Sequence, residues 1–107
     1  MKVKKLPPKY NLKDIDRKLG EKYWSPIDVA SMNGWVLQAA AVKGKFHWHT
    51  HDYDEFFLIY KGKVTIQTEK GNIELAEGEG YVVPKGIKHC PVAKKRAVFL
   101  LLEPKKL

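Results

Sequence analysis

From Ile27 to the C-terminus, short apolar runs alternate with turn signals, and this punctuation constrains the fold more than any other feature. The turns are marked by Asn33-Gly34, Lys43-Gly44, Lys61-Gly62, Gly71-Asn72, Glu77-Gly78 and Lys85-Gly86. The runs between them predict strands over 27–32, 35–42, 45–50, 55–60, 63–69, 72–76, 80–83, 88–92 and 97–103. Asn33-Gly34 favours a two-residue hairpin, because both residues adopt positive φ readily. Residues 63–69 and 72–76 flank Lys70-Gly71 in the same way. Many short strands at this spacing build an all-β sandwich or barrel, in which closure hides the sheet edges.

The first 26 residues read differently. Pro7 and Pro8 hold an irregular arm extended. Leu12, Ile15 and Leu19 recur at helical spacing, with Asn11 placed to cap the start and Gly20 to stop the helix. The expected organisation is an N-terminal arm over 1–26, with one short helix at most, and a β-barrel over 27–107. A chain of 107 residues supports one core and can gain by pairing with a copy of itself. Trp35, Trp48, Phe56, Leu58 and Tyr60 make a second strand face apolar, to be covered by the second sheet, the N-terminal arm or a partner subunit, and a homodimer is expected.

The net charge of +8 raises the question of nucleic acid. The lysines, however, are interleaved with Asp and Glu along the chain. Basic clusters occur only near the ends, at Lys2, Lys4 and Lys5, at Lys94, Lys95 and Arg96, and at Lys105 and Lys106. A solvated Lys- and Glu-rich surface is the simpler reading, and no nucleic-acid partner is expected. No run of eighteen apolar residues marks a membrane span, and no apolar stretch follows the charged start as a secretory signal would. The single cysteine, Cys90, forms no intramolecular disulfide, which fits a reducing, cytoplasmic location.

The chemistry gathers in two stretches. The first carries His47, His49, His51 and Glu55, and the second carries His89 behind Pro84-Lys85-Gly86. Side chains alternate faces along a strand, so His47, His49 and His51 point the same way. Residues two apart are roughly 6.5–7 Å apart at Cα, close enough for two imidazoles to converge on one ion. Glu55 returns a carboxylate after a short turn, and His89 closes the set from a distant strand. Three imidazoles and a carboxylate, with no thiolate, suit one divalent transition metal: Fe, Mn, Ni, Co, Cu or Zn. Four protein ligands leave one or two positions open in a five- or six-coordinate site, as a catalytic ion requires.

Other residues carry weaker signals. His47 shares the inward face; a satisfied core histidine is the ordinary outcome, and a proton shuttle or pocket wall the functional one. Tyr81 is either a packing residue or an acid and hydrogen-bond donor at the mouth. His47 and Tyr81 are the candidate catalytic groups. Phe57 and Ile59 continue the inward face from Glu55 as apolar wall, and Gln38 faces either the pocket or solvent. Tyr53 and Asp54 shape the turn between the ligands. Cys90, next to His89, turns its thiol away from the ion.

The two stretches resemble the paired motifs of the cupins, in particular the small single-domain members of the cupin 2 conserved-barrel type. The first motif reads G-x5-H-x-H-x3or4-E-x6-G; His49, His51, Glu55 and Gly62 match it, with Gly44 one position closer. The second reads G-x5-P-x-G-x2-H-x3-N; Gly78, Pro84, Gly86 and His89 match, and Ala93 stands where the family has Asn. Trp24-Ser25-Pro26, Trp48-His49-Thr50-His51 and Val83-Pro84-Lys85-Gly86-Ile87-Lys88-His89-Cys90-Pro91-Val92 resemble a subgroup of these small cupins. The resemblance covers residues 34–103. It implies a double-stranded β-helix, or jelly-roll, with the ion inside near one mouth.

The expected function is a metalloenzyme acting on a small polar metabolite, by carbonyl isomerisation or by Fe(II)-dependent dioxygenation. The alternatives are a non-catalytic cup that binds or senses a small ligand, and a purely structural ion. Fold alone does not choose among these, because cupins host many chemistries.

Overall fold

The computed structural model describes residues 5–105; Lys2, Lys4 and Lys106 of the terminal basic clusters lie outside them. Among the described residues one helix, α1 (Leu12–Leu19), precedes seven strands. These are β1 (Ile27–Met32), β2 (Trp35–Lys45), β3 (Glu55–Lys61), β4 (Val64–Thr68), β5 (Gly71–Leu75), β6 (Gly80–Val83) and β7 (His89–Pro104). All their pairings are antiparallel, in the order β1-β2-β7-β3-β6, with β4 bridging β5 and β7. The jelly-roll expectation holds.

β7 organises the barrel. One of its edges pairs with β2 from Val92 to Pro104. Its other edge is shared: His89 to Val92 pair with β4, and Val98 to Leu102 pair with β3. Between these halves the β2–β7 register slips, from Val42↔Ala97 to Gly44↔Ala93. A bulge of this kind bends the sheet, so one strand can serve both halves. The strands expected at 88–92 and 97–103 are therefore one, running through the bulge at Lys94–Arg96.

Two further expectations are corrected. Residues 45–50 do not form a strand beyond Lys45. Past that point Phe46 N–H donates to the Pro91 carbonyl, and His49 forms an isolated bridge with His89. Pro91 has no N–H to return, and four steps from Lys45 to His49 face only three from Val92 to His89. The ladder cannot run on unbroken. The second hairpin turns at Glu69-Lys70, because Thr68 pairs with Gly71. The Thr68 hydroxyl accepts from Lys70 N–H at 3.0 Å and donates to the Gly71 carbonyl at 2.6 Å, which holds the turn one residue earlier than expected. The Asn33-Gly34 hairpin forms as the sequence predicts, with φ of 51° and 81°.

The inner face of the barrel buries Val42, Phe57, Ile59, Val64, Ile66 and Phe99. Burying a side chain such as Phe57 contributes roughly 1.5–3 kcal/mol over leaving it exposed. The opposite face of β2 and β7 is covered by α1, through Leu19, Ala39, Ala41, Val98 and Leu100. Alanine at 39 and 41 leaves room for the helix backbone to approach. Asn11 accepts from Lys13 and Asp14 N–H groups and caps α1, as its sequence position predicts. Arg96 fastens the other end, donating to the Gly20 carbonyl (3.0 Å), the Asp16 carbonyl (3.1 Å) and the Asp16 carboxylate (2.6 Å). Arg96 is thus a structural clamp and not part of an open basic patch.

Candidate metal centre

His49 and His51 lie on the irregular segment between β2 and β3, Glu55 opens β3, and His89 opens β7. Backbone pairing brings the two stretches together. His49 N–H donates to the His89 carbonyl at 3.0 Å, and His89 N–H to the His49 carbonyl at 2.9 Å. The Gly86 N–H reaches the His51 carbonyl at 2.8 Å, and the Lys85 N–H reaches the Asp54 carboxylate at 2.9 Å. The Pro84-Lys85-Gly86 turn thereby locks onto the 51–54 turn, and Asp54 shapes that turn as expected.

One donor atom from each of His49, His51, Glu55 and His89 lies within 4.8 Å of every other. Glu55 Oε1 stands 3.3 Å from His89 Nε2 and 3.6 Å from His51 Nε2. Two of the imidazoles have their Nδ1 proton fixed. His49 Nδ1 donates to the His47 carbonyl at 2.9 Å, and His89 Nδ1 to the Ile87 carbonyl at 2.8 Å. A carbonyl only accepts, so Nδ1 carries the proton and Nε2 is left to face the cluster. This outer hydrogen bond is what orients metal-ligating histidines. Glu55 and His89 are buried, at 5% and 1% exposure. A buried carboxylate among three imidazoles is the donor set that a divalent transition metal takes, so the residues fit the ion.

The electrostatics suit a metal at His49 and Glu55 and oppose it at His89, whose Nε2 proton an ion would have to displace. Burial works to lower the His89 pKa, but the bond to Glu55 and the Ile87 carbonyl outweigh it, and the net shift is upward from 6.5. Burial works to raise the Glu55 pKa, but bonds from His89 and Glu103 and the nearby imidazoles hold it below 4.5. His49 is pushed down, first by burial and then by the neighbouring His89 and His51, against the pull of the His47 carbonyl. Such a cluster favours neutral imidazole at His49 and anionic carboxylate at Glu55, the forms that ligate metal.

A cavity of about 600 Å³ opens beside the quartet. That size suits a small-molecule site. His47 lines it, but as an exposed residue at the mouth and not as a core histidine; its ring lies 5.3 Å from that of His49. Gln38 also lines it and donates to Asp28 at 2.9 Å. Tyr81 is not among the lining residues; it packs, partly buried, against the inner core. Phe57 and Ile59 are fully enclosed in that core, as apolar wall. Cys90 is buried, a free thiol whose pKa burial raises.

Sequence reasoning missed Glu103. It hydrogen-bonds Glu55 and accepts from the Tyr53 hydroxyl at 3.4 Å. It ends the inward alternation Phe99, Leu101, Glu103, and a charge closing an apolar alternation was the available signal. Tyr53 does more than shape a turn. Its ring stacks on His51 at 4.7 Å, and burial together with the Glu103 and Glu55 carboxylates pushes its pKa up to about 12. It is therefore a proton-bearing donor throughout the neutral range.

Comparison with known proteins follows the same lines. The chain matches the family model of the cupin domain over residues 35–103. A cupin-2 domain containing protein from Shewanella frigidimarina is 38% identical, with a TM-score of 0.85 covering 90% of this chain and 94% of that one. A Neisseria meningitidis protein is 27% identical, with a TM-score of 0.82 covering 92% of this chain and all of its own (100%). A Saccharolobus solfataricus protein, provisionally named a dioxygenase, is 29% identical over 63 residues, 59% of this chain; the chain spans only 16% of that protein's length. No helix among the described residues is long and apolar enough to cross a membrane. Barrel topology, paired motifs and family match converge: the chain belongs to the cupin domain family, as a small cupin.

Proposed function

We propose that this cupin is a metal-dependent oxygenase that acts on a small polar substrate held in the 600 Å³ cavity. The observation that carries the reading is the donor quartet, gathered within 4.8 Å, with two imidazoles oriented by Nδ1 bonds to the His47 and Ile87 carbonyls. His49, His51, Glu55 and His89 would hold one divalent transition metal. Of Fe, Mn, Ni, Co, Cu and Zn, Fe(II) suits the proposal best, since it would bind both O₂ and a chelating substrate at open positions. The name of the Saccharolobus relative lends support to oxygen chemistry, within the limits of a partial match.

The chain's own residues would do the positioning. The Gln38 amide and Asp28 carboxylate, bonded to each other, form one polar wall for substrate hydroxyls. Tyr53 supplies a hydroxyl donor, and Glu103 a carboxyl group between that donor and Glu55. A second reading, proton-transfer isomerisation of a carbonyl compound, draws on that same Tyr53–Glu103 pair, with His47 at the mouth as a further proton carrier.

The test is metal content and oxygen consumption of protein purified without an affinity tag. A panel of diketones, phenols and thiols serves as substrates. Stoichiometric metal and oxygen uptake, both lost in a His49→Ala, His51→Ala variant, is the expected result. Metal without uptake on any substrate would favour the isomerase. The proposal includes a homodimer in a reducing compartment: Met32 and Trp35, 72% and 43% exposed, flank the β1–β2 hairpin at the sheet edge. Light scattering that gives a monomer at micromolar concentration would remove the dimer.

A further inference from the structure

Behind the donor quartet lies a second, smaller space of about 90 Å³. It shares Pro26, Phe46, His49, Glu55 and Leu101 with the large cavity and is an inner annex of it. Its other walls are Trp24, Ala40, Phe57, Pro91 and Phe99. His49 and Glu55 are its only side chains with polar ligand atoms besides the Trp24 indole, and that indole N–H is already spent on the Lys43 carbonyl at 3.0 Å.

Size and chemistry narrow the occupant. A cavity of about 150 Å³ takes a benzene ring, and one water claims about 30 Å³ of liquid volume. A space of 90 Å³ is therefore too tight for an aromatic ring and ample for a diatomic molecule. Buried water needs two to four polar partners. The annex offers His49 and Glu55 alone, and both are engaged in the quartet. The annex opens onto the large cavity, but its apolar walls offer water few hydrogen bonds and favour a small apolar gas.

The walls are built to keep the space open. Trp24 has φ of 59°, an outlier for so bulky a side chain. It is held there by its own N–H on the Ala41 carbonyl (2.9 Å) and by its ring, stacked 4.9 Å from Phe46 and set edge-on 6.4 Å from Phe99. Strain of this sort persists where surrounding structure enforces it, and such positions cluster at functional sites.

We infer that this annex is a dioxygen pocket, which collects O₂ by apolar partition and holds it beside the His49–Glu55 side of the metal centre. The inference rests on the oxygenase reading for its purpose, but its test does not require turnover. Dioxygen is paramagnetic and speeds the relaxation of nearby nuclei. In the full chain, ¹³C-methyl-labelled and followed by NMR under oxygen pressure, chelator-treated and Zn(II)-loaded in parallel, the Ala40 methyl should relax several-fold faster than the Ala39 methyl. These two alanines are equally buried, on opposite faces of β2. Equal enhancement at both would overturn the pocket. Ala40→Leu fills the annex and should abolish the enhancement at the Leu101 methyls; its persistence in the folded variant would also overturn it. If that variant does not fold, the comparison of Ala40 with Ala39 in the unaltered chain decides alone. Failure of oxygen uptake in every metal-loaded form is a different result: it overturns the oxygenase and leaves the relaxation measurement to decide whether the annex binds gas.

Discussion

His49 and His89 exchange both backbone hydrogen bonds, at 3.0 and 2.9 Å, and their imidazoles stand 4.3 Å apart. Residues paired in this way across antiparallel strands present their side chains on the same side. The ligand from the later stretch is therefore registered against the earlier trio by main-chain geometry, and not by the loop that precedes it. Ile87 and His47 then fix the two rings through their carbonyls. Four donor atoms already within 4.8 Å of one another would need little movement to take a metal, which would have to displace the proton between His89 and Glu55.

His89→Ala should abolish stoichiometric metal binding and also weaken the metal-free fold. His89 is 1% exposed, and its removal leaves the buried Glu55 carboxylate without its nearest cationic partner. Breaking a buried pair from one side costs on the order of 3 kcal/mol. Urea unfolding of chelator-treated protein measures the loss, and metal analysis reads the site. A variant that still holds one equivalent of metal would remove His89 from the ligand set.

The metal-free protein should depend on pH through this pair. Glu55 has its pKa lowered from 4.5 in the folded state, so its stabilising effect is present above 4.5 and is lost as pH falls through the lower folded value. His89 has its pKa raised from 6.5, so its effect is complete below 6.5 and is lost as pH rises through the higher folded value. The pair therefore contributes most between pH 4.5 and 6.5. The stability difference between the unaltered chain and Glu55→Gln, both stripped of metal, should peak in that window. A difference independent of pH would mean that the pair is not ionic.

The barrel, the hairpin at Asn33-Gly34 and the four donors were legible because each has a local signature: turn residues, alternating apolar positions, and imidazoles at fixed spacing. What escaped depended on contacts far apart in sequence. Nothing near Phe46 announces that its partner will be Pro91, so the end of β2 could not be read. The fusion of 88–92 with 97–103 depends on a bulge opposite Gly44. Glu103 acquires its importance from Glu55 and Tyr53, some fifty residues earlier. Arg96 looked like part of a charge run until α1 folded back onto it.

Arg96→Met should loosen α1 without touching the metal. The guanidinium makes three hydrogen bonds to Asp16 and Gly20, and the helix covers the face of β2 opposite the cavity. The ion pair is partly solvent-exposed, at 31% and 17%, which trims its electrostatic share. A net loss of about 2 kcal/mol is expected from bonds to charged groups of this kind. Chemical denaturation gives the loss, and metal titration should give an unchanged affinity. A tenfold fall in affinity would instead tie the helix to the site.

Gly62, the last residue of the first motif, is required by crowding as well as by backbone conformation. Its φ is 79°, and a Cβ built there would meet the Ala97 Cβ and the Arg96 carbonyl oxygen at 3.0 Å. The turn after β3 thus passes directly over the β7 bulge. Gly62→Ala should cost about 2 kcal/mol or more, from strain and contact together. A urea midpoint within error of the unaltered chain would show that the bulge gives way freely.

Tyr53→Phe separates the hydroxyl from the ring. The phenyl group keeps the stack on His51, whose imidazole lies 4.7 Å away, so metal content should not change. Only the 3.4 Å bond to Glu103 is lost, and at that length its stabilising effect is under about 1 kcal/mol. Ionisation of this phenol, pushed up to about 12, should vanish from an NMR or ultraviolet titration in alkali. If the hydroxyl orients substrate, KM should rise about tenfold at constant metal occupancy, the loss of one hydrogen bond made on binding. Unchanged KM and kcat would assign Tyr53 to holding His51 and Glu103 in place, with no contact to substrate.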